Sequence, residues 1–121
     1  MSNCVTEIRN DVLVATITGN IDGQTAPGLQ TGLMEGIGAT LVAVFDVSGV
    51  PYMSSAGFRL LLLMYRNVAM RGGQVALVGL SDDIRETMEM TGFLDFFTLA
   101  ASLDEALAEV QHAATEHAGS R

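Results

Sequence analysis

Apolar and polar positions change period several times along the chain. Asn3 to Arg9 and Val12 to Thr18 alternate with the two-residue period of half-buried strands. Asn10-Asp11 between them is a turn signal, so the pair is expected to form a hairpin. Alternation puts Val12, Val14, Thr16 and Thr18 on one face and Leu13, Ala15 and Ile17 on the other. A loop, Gly19 to Gly23, leads into a helix expected from about Thr25 to Gly36. Pro27 suits its first turn, and Leu29, Leu33 and Ile37 form its core stripe. Gly28, Gly32 and Gly36 recur every fourth residue and are expected to pack closely on a sheet.

Thr40 to Phe45 and Gln74 to Leu80 are apolar without alternation, as in central strands covered on both faces. Between them a helix is expected from Ser55 to Met70, ended by Gly72-Gly73. Its inward stripe reads as Phe58, Leu61, Leu62, Tyr65 and Ala69. Leu60, Leu63 and Met64 fall on its other sides, buried by a central position or exposed to a partner. The two strands and this helix make a βαβ unit with a right-handed crossover. Ser81 caps a third helix that stops near Thr91-Gly92, and Phe96 to Leu99 reads as a last short strand. Ser102-Leu103-Asp104-Glu105 is a capping-box pattern, and Leu103, Ala106, Leu107 and Val110 give the final helix one apolar face. The order ββαβαβαβα argues one α/β domain with a mixed sheet of four to five strands and about four helices. Its core spans about residues 4–112, and 113–121 reads as a frayed tail.

Composition narrows the function classes. One domain is the natural reading of 121 residues, and 49% apolar content is enough for one core. The longest apolar run, Leu60 to Tyr65, is far short of the roughly 20 residues of a spanning helix. Met1-Ser2-Asn3-Cys4 carries no signal-peptide pattern, so a cytoplasmic location is expected. Fourteen acidic residues against six basic ones, all Arg, give a formal charge of −8. Such a chain is not expected to bind nucleic acid or to insert into an anionic membrane. Cys4 stands alone, which excludes an intramolecular disulfide, and His112 and His117 are not spaced for one helix face. No P-loop, dinucleotide fingerprint or nucleophile elbow is present. No cofactor, no metal site and no enzymatic activity are expected.

The informative stretch runs from Asp46 to Phe58: a buried strand ends in Asp46, then a loop with Gly49 and Pro51 leads to a helix start at Ser54 or Ser55. Either serine serves as a cap, and Gly57 lets the backbone approach a neighbour. The same geometry suits a switch. A phosphoryl group at a helix N-terminus meets free N–H groups and the positive dipole end. It adds about 1.5 to 2 negative charges beside Asp22 and Asp46 without melting the helix.

Asp46-Val47-Ser48-Gly49-Val50 and Met53-Ser54-Ser55-Ala56-Gly57 resemble the motif of STAS domains, the anti-sigma factor antagonist family. Gly19-Asn20-Ile21-Asp22 and the stretch from Gly72 to Gly79 match the family's pattern more weakly, and the resemblance covers about residues 4–112. It implies a binding module whose unphosphorylated form holds a serine-protein kinase that doubles as an anti-sigma factor. Phosphorylation of one Ser releases the partner, and a metal-dependent serine phosphatase of the PP2C type reverses it. The phosphorylated position aligns with Ser55; Ser54 stands where the family often has Asp, which makes it the lesser candidate. Asp22, Thr25, Asp46, Ser48, Ser54, Ala56, Gly57 and Arg59 are the implied partner-binding residues. Arg59, where the family often has a small residue, lies one turn from Ser55, placed to pair with a phosphate there or to stand solvated. A monomer or weak dimer is expected. The alternative is a constitutive subunit of a larger complex, such as a lipid-transport ATPase; a small-ligand or nucleotide-binding domain is a third class.

Overall fold

A computed structural model describes residues 3–9, 11–38 and 40–109. The sheet has the order β1-β2-β3-β4-β5, with strands β1 (Asn3–Arg9), β2 (Val12–Thr18), β3 (Val42–Gly49), β4 (Gln74–Val78) and β5 (Thr98–Ala100). β1 pairs with β2 antiparallel, and every later pairing is parallel. The hairpin turns at Asp11, whose φ of 67° is left-handed, a conformation that Asp tolerates better than most residues. Asn10, the other half of that turn signal, lies outside the described residues.

Helices α1 (Ala26–Ile37), α2 (Ser55–Ala69) and α3 (Asp82–Thr91) follow β2, β3 and β4. A 3-10 turn, Phe93–Phe96, precedes β5, and the backbone is helical again over residues 103–109. The element order and mixed five-stranded sheet match the sequence reading.

The strand pleat divides the core in two. Leu13, Ala15, Ile17, Phe45 and Leu77 point to one face, where Leu29, Leu33 and Ile37 of α1, Leu61 and Met64 of α2, and Ile84 and Met88 of α3 cover them. Val12, Val14, Val44 and Ala76 point to the other, where Ala106 is buried and Leu103 and Leu107 pack. Each large buried side chain contributes about 1.5–3 kcal/mol. Val110 of the expected last stripe, His112, His117 and the tail at 113–121 lie outside the described residues.

Two expectations need correction. The buried face of α2 is Gly57, Leu60, Leu61, Met64 and Val68, not the stripe through Phe58, Leu62, Tyr65 and Ala69. Those four are only partly buried, because they stand on the flanks of the helix. On one flank Phe58 meets the Phe93 ring at 6.2 Å and Tyr65 meets Phe96 at 5.1 Å. Of the residues expected elsewhere on this helix, Leu60 and Met64 are core and Leu63 is exposed.

The glycine repeat of α1 does not pack as a stripe. Only Gly36 approaches the sheet, where an added Cβ would sit 3.2 Å from Thr6 Cγ2 of β1. Gly28 and Gly32 face open space. Some bounds also move. β3 starts at Val42 because Thr40 and Leu41 are held as a connector: Arg71 Nη2 donates to the Thr40 carbonyl at 2.8 Å, and the Gln74 N–H donates to the Leu41 carbonyl at 2.9 Å. Phe96 is spent on the 3-10 turn, so β5 begins at Thr98.

Candidate functional site

The C-terminal ends of β2 and β3 carry the loops that the sequence singles out, and backbone bonds tie these loops together. The Gly19 N–H donates to the Gly49 carbonyl at 2.9 Å, and the Ile21 N–H donates to the Tyr52 carbonyl at 3.0 Å. The Ser54 N–H returns a bond to the Ile21 carbonyl at 2.9 Å, and Ile21 and Met53 form an isolated parallel bridge. Parallel pairing thus resumes past the strand ends and brings the loop before α1 against the start of α2. Ile21 and Met53 are buried beneath this junction.

Gly57 is the contact that lets α2 sit there. A Cβ on it would meet Met53 Cγ at 2.3 Å, and Ile21 Cγ2 and the Ile21 carbonyl oxygen at 3.0 Å. Any larger residue there would force Met53 and Ile21 to shift.

In the first loop Asp22 works as a local clamp. Its Oδ1 accepts from the Gln24 N–H at 2.9 Å, the Thr25 N–H at 3.0 Å and the Thr25 hydroxyl at 3.3 Å. The single Thr25 hydroxyl proton is shared between that oxygen and the nearer Asn20 carbonyl at 2.9 Å, and the hydroxyl oxygen accepts from the Asp22 N–H at 3.0 Å. The Thr25 N–H first, and then the Gln24 N–H, hold the Asp22 carboxyl below its ordinary value, because both bonds favour the charged form. Asp22 and Thr25 therefore form one rigid unit beside Ile21, which bonds to Ser54.

Asp46 is placed differently. Its neighbours Phe45 and Val47 belong to the core under α2, so alternation turns the Asp46 side chain to the opposite sheet face. There its Oδ1 accepts from the Ser48 hydroxyl at 2.6 Å and the Ser48 N–H at 3.0 Å. This bracket lies at the C-terminal end of β3, and Gly79, just past β4, packs on Ser48. The pair of carboxylates expected to flank Ser55 does not assemble on one face.

At the start of α2 the two serines differ sharply. Ser54 is the N-cap residue, and its carbonyl accepts from the Gly57 and Phe58 N–H groups at 2.9 and 3.1 Å. Its hydroxyl makes no cap bond and is buried with no partner among the described residues. Ser55 is the first helical residue, and it is exposed. The first turn of α2 holds no acidic residue, so the positive end of its dipole is uncompensated. Ala56 is half-buried, and Arg59 is exposed one turn beyond Ser55. The loops thus gather Asp22, Thr25, Ser54, Ser55, Ala56, Gly57 and Arg59 at one end of the sheet, with Ser48 at the same end and Asp46 turned away.

Sequence reasoning misses Ile21, Met53 and Tyr52, which build the junction. Their signal was faint: two apolar residues and an aromatic in polar loops, with partners roughly 30 residues away in sequence. No helix of the described residues is long and apolar enough to cross a membrane.

Comparison with known proteins fits this geometry. BtrV of Bordetella bronchiseptica, which bears the provisional name anti-sigma factor antagonist, is 32% identical over 99 residues, covering 80% of this chain and 84% of that protein. The crystal structure of an anti-sigma factor antagonist from Mycobacterium paratuberculosis superimposes with a TM-score of 0.83 at 27% identity, over 92% of this chain and 95% of that one. The Bacillus cell fate determinant SpoIIAA, solved in its phosphorylated form, shares the fold with a TM-score of 0.72 at 20% identity, over 89% of this chain and 99% of that one. The model of the STAS domain matches residues 3–106, nearly all that the structure describes, and the chain belongs to the STAS domain family.

Proposed function

We propose that the protein is a phosphorylation-switched binding module of the anti-sigma factor antagonist type. Unphosphorylated, it holds a serine-protein kinase that is also an anti-sigma factor. A phosphate on Ser55 ends the contact, and a PP2C-type phosphatase restores it. The observation that carries this reading is the contrast at the start of α2: the Ser55 side chain stands in solvent, whereas the Ser54 hydroxyl is buried. A kinase needs the nucleophilic oxygen outside the fold, which favours Ser55.

The switch fits the local physics. A phosphate on the first helical residue meets an uncapped helix end, where an anion is stabilised by about 0.3–1 kcal/mol. The fold stays intact while a neutral docking edge gains about 1.5 to 2 negative charges. Asp22, Thr25, Ala56 and Arg59 border that edge and serve as partner contacts, and Gly57 seats the start of α2 beneath it. Ser48 and Asp46 act at the C-terminal end of β3.

The test is incubation with the cognate serine kinase and ATP, with the phosphate mapped by mass spectrometry. Modification at Ser55, its loss in Ser55→Ala, and weak kinase binding by Ser55→Asp are the expected results. A stoichiometric partner held equally by all three forms, whatever the phosphorylation, would assign the chain to a constitutive complex instead.

A further inference from the structure

The chain leaves β2, β3 and β4 toward the same face of the sheet, where α1, α2 and α3 pack. It leaves β5 toward the opposite face, where Leu103, Ala106 and Leu107 pack. The paths after β4 and β5 therefore diverge. Among the described elements this is the one neighbouring pair of parallel strands where they do. Diverging connections leave a crevice over the carboxyl ends of the strands, the usual place for a ligand in an open parallel sheet. A cavity of about 420 Å³ lies there, within the size range of small-molecule sites. Leu77, Leu80 and Leu99 line its apolar part, and Gly79, with a φ of 77°, turns the chain out of β4 along its wall.

Two opposite charges complete the lining: Arg85, near the start of α3, and Glu105, on the helix over residues 103–109. Arg85 is the only cation in residues 72–109, which hold eight carboxylates. Two of those, Asp82 and Glu89, stand three and four residues from Arg85 on α3, the spacing that favours ion pairs within a helix. Arg85 pairs with neither. Among the described residues the Arg85 and Glu105 side chains form no ion pair or hydrogen bond, with each other or with any other group. A cation and an anion thus face one cavity from two helices, held apart beside apolar walls.

We propose that this cavity binds a small zwitterion with an apolar body, an α-amino acid with an aliphatic side chain. The Arg85 guanidinium would hold its carboxylate, whose two oxygens match the fork of N–H donors. Glu105 would accept from its ammonium group, and Leu77, Leu80 and Leu99 would cover its side chain. Charge complementarity argues for that ligand. A simple carboxylate leaves Glu105 without a partner, and a simple amine leaves Arg85 without one. A nucleoside triphosphate brings several negative charges to a cavity with one cation in a chain of net charge −8. None of these residues belongs to the loops around Ser55, so binding here is separable from the switch.

The experiment titrates L-leucine into the full chain and follows amide NMR shifts and calorimetric heat, for wild type, Arg85→Gln, Glu105→Gln and the control Glu89→Gln. Circular dichroism confirms that each variant is folded. Saturable binding is expected, with shifts centred on residues 79–81 and 99–101. Arg85→Gln and Glu105→Gln are each expected to weaken it about tenfold, with Glu89→Gln near wild type. Isocaproate, which lacks the ammonium group, and isoamylamine, which lacks the carboxylate, are expected to bind about tenfold more weakly than leucine. No saturable shift with L-leucine, L-valine or L-methionine up to about 10 mM would overturn the proposal. So would isocaproate or isoamylamine binding as well as leucine, or wild-type affinity in both Arg85→Gln and Glu105→Gln. Saturable binding of GTP that is lost in Arg85→Gln, with no amino-acid binding, would assign the cavity to a nucleotide and overturn it too.

Discussion

Gly57→Ala tests whether the junction beneath α2 holds the site together. Two effects oppose each other. Ala is the better helix former, by up to about 1 kcal/mol in a helix interior. Against this, the new methyl carbon would stand 3.0 Å from the Ile21 carbonyl oxygen and 2.3 Å from Met53 Cγ. Met53 Cγ lies near the root of a side chain that is only 5% exposed, so it cannot clear the new methyl without repacking its neighbours. The Ile21 carbonyl is backbone, and it accepts the Ser54 N–H, so it cannot retreat without breaking the bond that joins the two loops. Forcing extra volume into packed structure costs about 1–3 kcal/mol. The clash should win, leaving a net loss of about 1–2 kcal/mol. For a domain of this size that lowers Tm by roughly 3–10 °C. Gly32→Ala is the matched control: it sits inside α1 with nothing within 4 Å, so it should gain about 0.5–1 kcal/mol. Thermal unfolding followed by circular dichroism reads both, and amide exchange at Ser54 reads the junction. A Tm for Gly57→Ala equal to or above wild type, with the Ser54 amide as protected as before, would refute the reasoning.

Three further outcomes follow from named contacts. Ser81→Ala should cost about 1 kcal/mol in denaturant unfolding, because the Ser81 hydroxyl accepts from the Ile84 N–H at the start of α3. Ser54→Ala, at the same cap position of α2, should be neutral or slightly stabilising, because it removes a buried hydroxyl that makes no bond. Asp22 should titrate below the ordinary Asp value of about 3.9 in a carbon-detected NMR titration. Its folded-state value is depressed, so its contribution is complete above the unfolded value and disappears as pH falls through the folded one. Asp22→Asn should remove that part of the acid sensitivity.

The strands were the most legible part of the fold. β1 and β2 fall on the expected residues, and in β2 the pleat sends Leu13, Ala15 and Ile17 to one side and Val12 and Val14 to the other. The orientation of α2 was not legible from hydrophobicity. Six successive apolar residues from Leu60 to Tyr65 leave no polar mark to show which side faces in. Gly57, where the helix comes against Ile21 and Met53, fixes the inward side at the start of α2. The Ser54-Ser55 pair was visible as a motif, but which hydroxyl is reachable depends on burial that spacing does not encode.

The face that Asp46 takes was not legible for a related reason. It lies within β3 near the site, where strand alternation sends its side chain to the sheet face away from α2. Net charge misled in the same way, since −8 overall conceals a stretch of 35 residues (47–81) without a carboxylate. That stretch could be read from the sequence.

The central claim is that the state of Ser55 decides partner binding without altering the fold. The most direct measurement compares the chain carrying phosphoserine at position 55 with the unmodified chain, by calorimetric binding to the cognate kinase and by amide NMR spectra of each. The account predicts strong binding by the unmodified chain, loss of about tenfold or more on phosphorylation, and shifts confined to the start of α2 and the loop at residues 19–25. Equal affinity in the two forms, or shifts spread through the sheet, would contradict it.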